Sequence, residues 1–153
     1  MHKDDAMGVD HLADSQRTQC LYMRRIMGYA PANMKTKGQL ESEISDAITR
    51  FEKDYMGRGP LETRTMLIED MVVVRLRGVL TPAERQLTTT ENPLEGLRLV
   101  KRMRMELIET ARPLLDAVIE QITGSPVVSL HTDISVNTGE RLIIFVLKEP
   151  PVY

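Results

Sequence analysis

Apolar side chains recur at three-and-four spacing over residues 97–122, which is the pattern of one long amphipathic helix. Residues 92–95 have the spacing of a capping box with proline at the first helical position, and Gly124 follows as a stop signal. The apolar register continues across Pro113, so we expect a kink there and not an end. A helix of about 45 Å needs a second layer against which to bury its apolar stripe.

Two further helices are predicted from their start signals. Thr36 and Gln39 form a capping box, and an apolar stripe follows over residues 40–55. The Gly-Arg-Gly-Pro segment at 57–60 ends that helix, because glycine adopts the left-handed cap conformation and proline cannot continue a helix. A second capping box at 81–84 predicts a short helix that ends near residue 87.

The remaining periodic segments read as strands in two hairpins. Residues 62–69 and 71–77 form the first pair, and residues 126–134 and 141–147 form the second. Two hairpins make an antiparallel sheet, so we predict an α+β fold of order α-ββ-α-α-ββ. It is a two-layer sandwich with a mostly antiparallel four-stranded sheet and helices on one face.

The last predicted strand is apolar on both of its faces. Ile143, Phe145 and Leu147 alternate there with three further apolar residues, Leu142, Ile144 and Val146. Helices on one side of a sheet leave the other side uncovered, and an uncovered apolar face indicates a partner. We therefore expect a homo-oligomer, most simply a homodimer.

The chain divides into three parts by composition. Residues 1–34 have no sustained apolar period and are interpreted as a flexible N-terminal extension, or alternatively as the result of a start site assigned too early, with Met34 as the first residue. Residues 35–148 form one domain, and residues 149–153 form a tail. Cys20 lies in the extension, and the sequence assigns it no role.

Composition excludes several classes of function. A chain of 153 residues with a formal net charge of −2 has no overall attraction for nucleic acid. One cysteine forms neither an internal disulfide nor a cysteine zinc site, and no nucleotide-binding glycine motif occurs, so no metal or cofactor is expected. No apolar run is long enough to span a membrane, and we expect a cytoplasmic protein.

Two groups of residues are candidates for anion binding. Arg58 stands between Gly57 and Gly59, where backbone amides and a guanidinium can converge on an anion, although a tight helix-to-strand turn explains the same residues. His131 and Asp133 share one face of a strand and can orient an imidazole or hold a metal, although a solvated polar face explains them equally.

The long helix carries a group of cations, here called the basic patch. It consists of Arg98, Lys101, Arg102 and Arg104. Such a patch is either a binding surface or a solvated helix face paired with nearby acids. Few aromatic residues accompany it, so nucleic-acid stacking is not expected.

Five segments together resemble the MpsC family of small bacterial proteins: residues 37–45, 51–60, 77–84, 107–114 and 129–140. The resemblance covers residues 35–148. The family is named for a Na+-translocating membrane-potential-generating system, which includes an antiporter-like membrane subunit and is linked to inorganic-carbon supply. The resemblance therefore implies that this chain is an accessory or regulatory component of such a system, peripheral to the inner membrane. It supplies no catalytic residues.

Two hypotheses follow. The first is a non-enzymatic interaction protein that binds a membrane complex, or itself, through the sheet face and the basic patch. The second is a small-anion-binding protein or enzyme that uses Arg58, Arg112, His131 and Asp133, with bicarbonate or a phosphate ester as ligand.

Overall fold

The computed structural model describes residues 34–153, so the predicted extension falls outside the described residues except for Met34. The elements follow the predicted order and confirm the α+β class. They are α1 (Lys37–Met56), β1 (Glu62–Ile68), β2 (Met71–Arg77), α2 (Pro82–Leu87), α3 (Pro93–Thr123), β3 (Val127–Ser135) and β4 (Glu140–Leu147).

Two of the three predicted capping boxes form. The Thr36 hydroxyl accepts a hydrogen bond from the Gln39 amide while the Gln39 side chain accepts one from the Thr36 amide. Thr81 and Glu84 make the same reciprocal pair at the start of α2. The box predicted at 92–95 is wrong, because Asn92 has φ −120° and ψ 78°, outside the extended conformation of the other two caps, and its side chain caps no backbone amide.

Helix α3 spans 31 residues and continues through Pro113 to Thr123. Gly124 ends it in the left-handed conformation, with φ 72°, and its amide donates to the Glu120 carbonyl. Near its start the short helix α2 comes so close that a Cβ on Gly96 would lie 1.8 Å from the Leu87 carbonyl oxygen. Glycine at position 96 is therefore what allows the two helices to meet.

The four strands form one antiparallel sheet of order β1-β2-β4-β3. The two hairpins join where β2 pairs with β4, with Val74 opposite Ile143. Buried residues alternate along both central strands, and the predicted two-sided strand lies at the centre of the sheet. The buried set is Val72, Val74 and Leu76 on β2, and Ile143, Phe145 and Leu147 on β4.

The core lies between this buried face and the apolar stripes of the helices. Helix α1 contributes Leu40, Ile44, Ile48 and Phe51, and α3 contributes Val100, Ile108, Ala111, Leu115 and Ile119. Residues 149–153, predicted as a tail, have no regular secondary structure, yet Pro151 is buried and Tyr153 packs against the core. The opposite face of the sheet, called the outer face below, consists of the alternating residues that point away from the helices.

Candidate functional site

Four charged side chains meet inside the protein, each from a different element. Glu52 of α1 is 0% exposed, Arg104 of α3 is 1%, Arg141 of β4 is 2% and Glu84 of α2 is 5%. We call them the buried charge cluster. Isolated buried charges are strongly unfavourable, so their presence in the core requires close pairing.

The pairing is close throughout the cluster. The Glu52 carboxylate bridges both cations, with its oxygens 3.4 Å from Arg104 Nη1 and 3.0 Å from Arg141 Nη1. Arg104 Nε donates to Glu84 Oε1 at 2.7 Å, and its Nη2 donates to the Val79 carbonyl at 2.7 Å. The cluster thus ties three helices and the sheet together.

The pairing also decides the charge state of each group. Burial raises the pKa of Glu84, but hydrogen bonds from Arg104 and from the Thr81 amide lower it by more, so the net pKa is below its ordinary value. Burial lowers the pKa of Arg104, and hydrogen bonding to Glu84 reverses this to a net rise. The pKa of Arg141 stays lowered by burial, although Glu52 opposes that change. These shifts favour an ion-paired Glu84–Arg104 contact.

The cluster corrects one sequence prediction and contains residues, such as Glu52 and Arg141, that no sequence motif had singled out. Arg104 was placed in the exposed basic patch, but it is buried because it lies on the apolar register of α3, four residues after Val100 and four before Ile108. Glu52 occupies the equivalent position on α1, four residues after Ile48. The signal available in the sequence was a charged residue at a helix position where the apolar spacing predicts a buried side chain.

A cleft of about 290 Å³ opens beside the buried charge cluster, between α3 and the β3 edge of the sheet. Its lining brings together two candidates that the sequence treated separately. Lys101 Nζ lies 2.9 Å from Asp133 Oδ1, and this contact, with the Ile134 amide, lowers the pKa of Asp133. The residues that line it are Lys101, Arg102, Arg104, Met105, Glu106, Thr132, Asp133, Ile134 and Arg141.

The other predicted anion-binding residues have separate partners. Arg58 Nη1 donates to the Leu80 carbonyl at 3.0 Å, which ties the turn after α1 to the loop after β2. Arg112 Nε lies 3.5 Å from Asp116 Oδ2, one turn along the same helix. No hydrogen bond or ion pair joins these two arginines, or either of them to β3, in the described part of the chain.

The glycines beside Arg58 and the histidine of β3 have positions that local structure explains. Gly57 is the C-cap of α1 with φ 72°, a conformation that glycine adopts without strain, and Gly59 follows in the same turn. His131 Nε2 is 3.3 Å from Ser129 Oγ on the exposed side of β3. His131 and Asp133 share a face as predicted, but the ion-pair partner of Asp133 is Lys101.

The outer face of the sheet is apolar over one half. The register aligns Ile68, Met71 and Val146 in one row and Met66, Val73 and Ile144 in the next. Met66 is 38% exposed, Ile68 47% and Leu142 39%. A contiguous apolar surface across three strands, β1, β2 and β4, is typical of a site where another protein docks.

The other half of the outer face is charged and internally paired. Arg75 contacts Glu140 at 2.5 Å, and Arg77 contacts Glu62 at 3.3 Å. Arg64 also lies 3.6 Å from Glu62. This half therefore presents three arginines that are ion-paired with two glutamates, next to the apolar rows.

Two kinds of specialised feature are absent from the described residues. Within residues 34–153, no group of three or more histidine, cysteine, aspartate or glutamate residues is placed to hold a metal ion. No helix of the same part is long and apolar enough to cross a membrane.

Comparison with known proteins identifies relatives over most of the chain. The family model described as "Na+-translocating membrane potential-generating system (MpsC)" matches residues 36–149. The uncharacterized protein YbcI of Bacillus subtilis is 46% identical over 113 residues, which cover 74% of this chain and 89% of YbcI. The uncharacterized protein YrhF of the same organism is 29% identical over 105 residues, covering 68% of this chain and 84% of YrhF. No solved structure shows a significant match.

Proposed function

This chain belongs to the MpsC family, and on that premise we propose that it is a non-enzymatic accessory or regulatory component of a Na+-translocating membrane-potential-generating system. It acts at the cytoplasmic side of the inner membrane, as a peripheral partner of a membrane-spanning subunit. The family description supports the system, and the outer face of the sheet supports the mode of action.

The outer face is the single observation that carries the proposal. Its apolar rows extend across β1, β2 and β4, and their side chains stay partly exposed instead of packing into the core. Burial of such a surface by a partner contributes about 25 cal/mol per Å² of apolar area. The paired charges beside it form a polar rim, as in protein–protein interfaces. The same face serves a second copy of the chain when no membrane partner is bound.

The test is an affinity purification from the host, with the tagged full chain expressed at its native level. Solubilised membranes and cytosol are analysed separately by mass spectrometry. The wild type is compared with a double variant of the outer face, Met66→Glu and Leu142→Glu. The matched control is Leu99→Glu, because Leu99 is an exposed leucine on α3, outside the sheet.

We expect the wild type and the Leu99→Glu control to recover an antiporter-like membrane subunit, and the outer-face variant to lose it. Recovery of the chain alone, or of soluble metabolic proteins only, contradicts the accessory role. Equal recovery by the outer-face variant contradicts the outer face as the docking site.

A further inference from the structure

We propose that the cleft between α3 and β3 binds a small oxyanion, with Arg141 at its base and Lys101 and Arg102 at its mouth. The ligand chemistry is two or more oxygens that share a negative charge, as in a carboxylate, carbonate or phosphate group. This site shares only Asp133 with the anion site predicted from the sequence, and it does not depend on the proposed accessory function.

The hydrogen-bond donors of Arg141 are the first argument. A guanidinium carries five N–H groups. Arg141 donates from Nε to Thr132 Oγ1 at 3.2 Å, from Nη1 to Glu52 Oε1 at 3.0 Å and from Nη2 to the Arg104 carbonyl at 3.4 Å. Each Arg141 nitrogen thus has one hydrogen-bond partner among the described residues, which leaves a second N–H on Nη1 and a second on Nη2. A buried donor without an acceptor is unfavourable, so an oxygen that enters the cleft is stabilised there.

The mouth of the cleft supplies further cationic donors. Arg102 is exposed and makes no ion pair or hydrogen bond within the described residues, so its whole guanidinium fork is available for a bidentate contact. Lys101 is held over the cleft by both carboxylate oxygens of Asp133, at 2.9 and 3.3 Å. An ammonium has three donors, so Lys101 can contact an anion while it keeps this anchor.

The carboxylates in the lining restrict which anion fits. Asp133 and Glu106 both stand at the cleft, and they repel an extended polyanion that would reach past the two cations. At the base, burial and the neighbouring Arg104 lower the pKa of Arg141, although Glu52 opposes that change. A small anion beside Arg141 adds negative charge to a lining that holds four cations, Lys101, Arg102, Arg104 and Arg141, against two carboxylates.

The experiment titrates the full chain with inorganic phosphate, bicarbonate and acetate in separate series, at constant ionic strength. Binding is followed by NMR through the backbone amides of residues 101–105 and 132–134 and through the side-chain Nε–H of Arg141. The variants are Lys101→Met and Arg102→Met. Arg98→Met is the matched control, because Arg98 lies one turn away on α3 and does not line the cleft.

We expect at least one of the three anions to shift these signals saturably, including the Arg141 signal, and the responding anion identifies the class. Arg102→Met should weaken the affinity about tenfold, the usual effect of losing a hydrogen bond from a charged group, and Arg98→Met should change it less than about twofold. No saturable shift with any of the three anions overturns the site. Equal weakening by Arg98→Met also overturns it, because the effect would then be one of overall charge.

Discussion

Replacing Glu52 by glutamine tests whether the buried charge cluster stabilises the fold as the structure indicates. Glu52 is fully buried and bridges Arg104 and Arg141. The substitution keeps the shape of the side chain but removes its charge, which leaves two buried guanidinium groups with one carboxylate, Glu84. Removal of one partner from a buried ion pair costs about 3–5 kcal/mol.

That loss is large compared with the total stability of a domain of this size. At about 4 °C per kcal/mol, it lowers the midpoint of thermal unfolding by about 12–20 °C. The chain has no tryptophan, so the assay is urea unfolding followed by far-UV circular dichroism. We expect the free energy of unfolding to fall while its dependence on urea stays constant, because the unfolded surface does not change.

Two further variants make the result interpretable. Glu43→Gln removes the carboxylate of an exposed ion pair with Lys35, and it should cost at most about 1 kcal/mol. Arg141→Gln added to Glu52→Gln restores the charge balance, so the double variant should be less destabilised than the sum of the single variants, by about 1–3 kcal/mol. A cost for Glu52→Gln no larger than that of Glu43→Gln would refute the reasoning.

Three further predictions concern the helix starts and pH. Thr81→Ala removes the hydroxyl that accepts a hydrogen bond from the Glu84 amide, so it should lower the free energy of unfolding by about 1 kcal/mol. An unchanged midpoint of thermal unfolding contradicts the cap. Gly96→Ala places a Cβ 1.8 Å from the Leu87 carbonyl oxygen and should cost about 3 kcal/mol or more in urea unfolding; wild-type stability would disprove this close approach. The lowered pKa of Glu84 means that its stabilisation is complete above its ordinary pKa of about 4.5 and is lost as the pH falls through the lowered value. Stability measured against pH should therefore decline in acid, and Glu84→Gln should make that decline shallower; an identical acid profile contradicts the Arg104 pairing.

The sequence predicted the structural features that depend only on residues close together in the chain, namely helix starts and strands. The capping boxes at Thr36 and Thr81 involve side chains three residues apart, so their spacing alone identified two helix starts. The short periodic segments at 71–77 and 141–147 likewise identified the strands β2 and β4. The exception, Asn92, has the right spacing but the wrong backbone conformation, which residue types alone do not determine.

The sequence did not predict contacts between distant segments. Arg141 and Glu52 lie 89 residues apart, and Lys101 and Asp133 lie 32 apart, so no local pattern links them. The pairing of β2 with β4 decides that Arg141 faces the core, and this pairing depends on how the two hairpins assemble. A partial signal was present, because Glu52 and Arg104 interrupt apolar registers where a charge needs a buried partner.

The central claim is that the outer face docks on a membrane-spanning subunit, and site-specific photo-crosslinking in the host membrane tests it most directly. A photoreactive phenylalanine derivative replaces Leu142 on the outer face in one strain and Leu99 on α3 in another. We expect position 142 to crosslink to an antiporter-like membrane subunit and position 99 not to do so. Crosslinks to that subunit from position 99 alone, or from neither position, would contradict it.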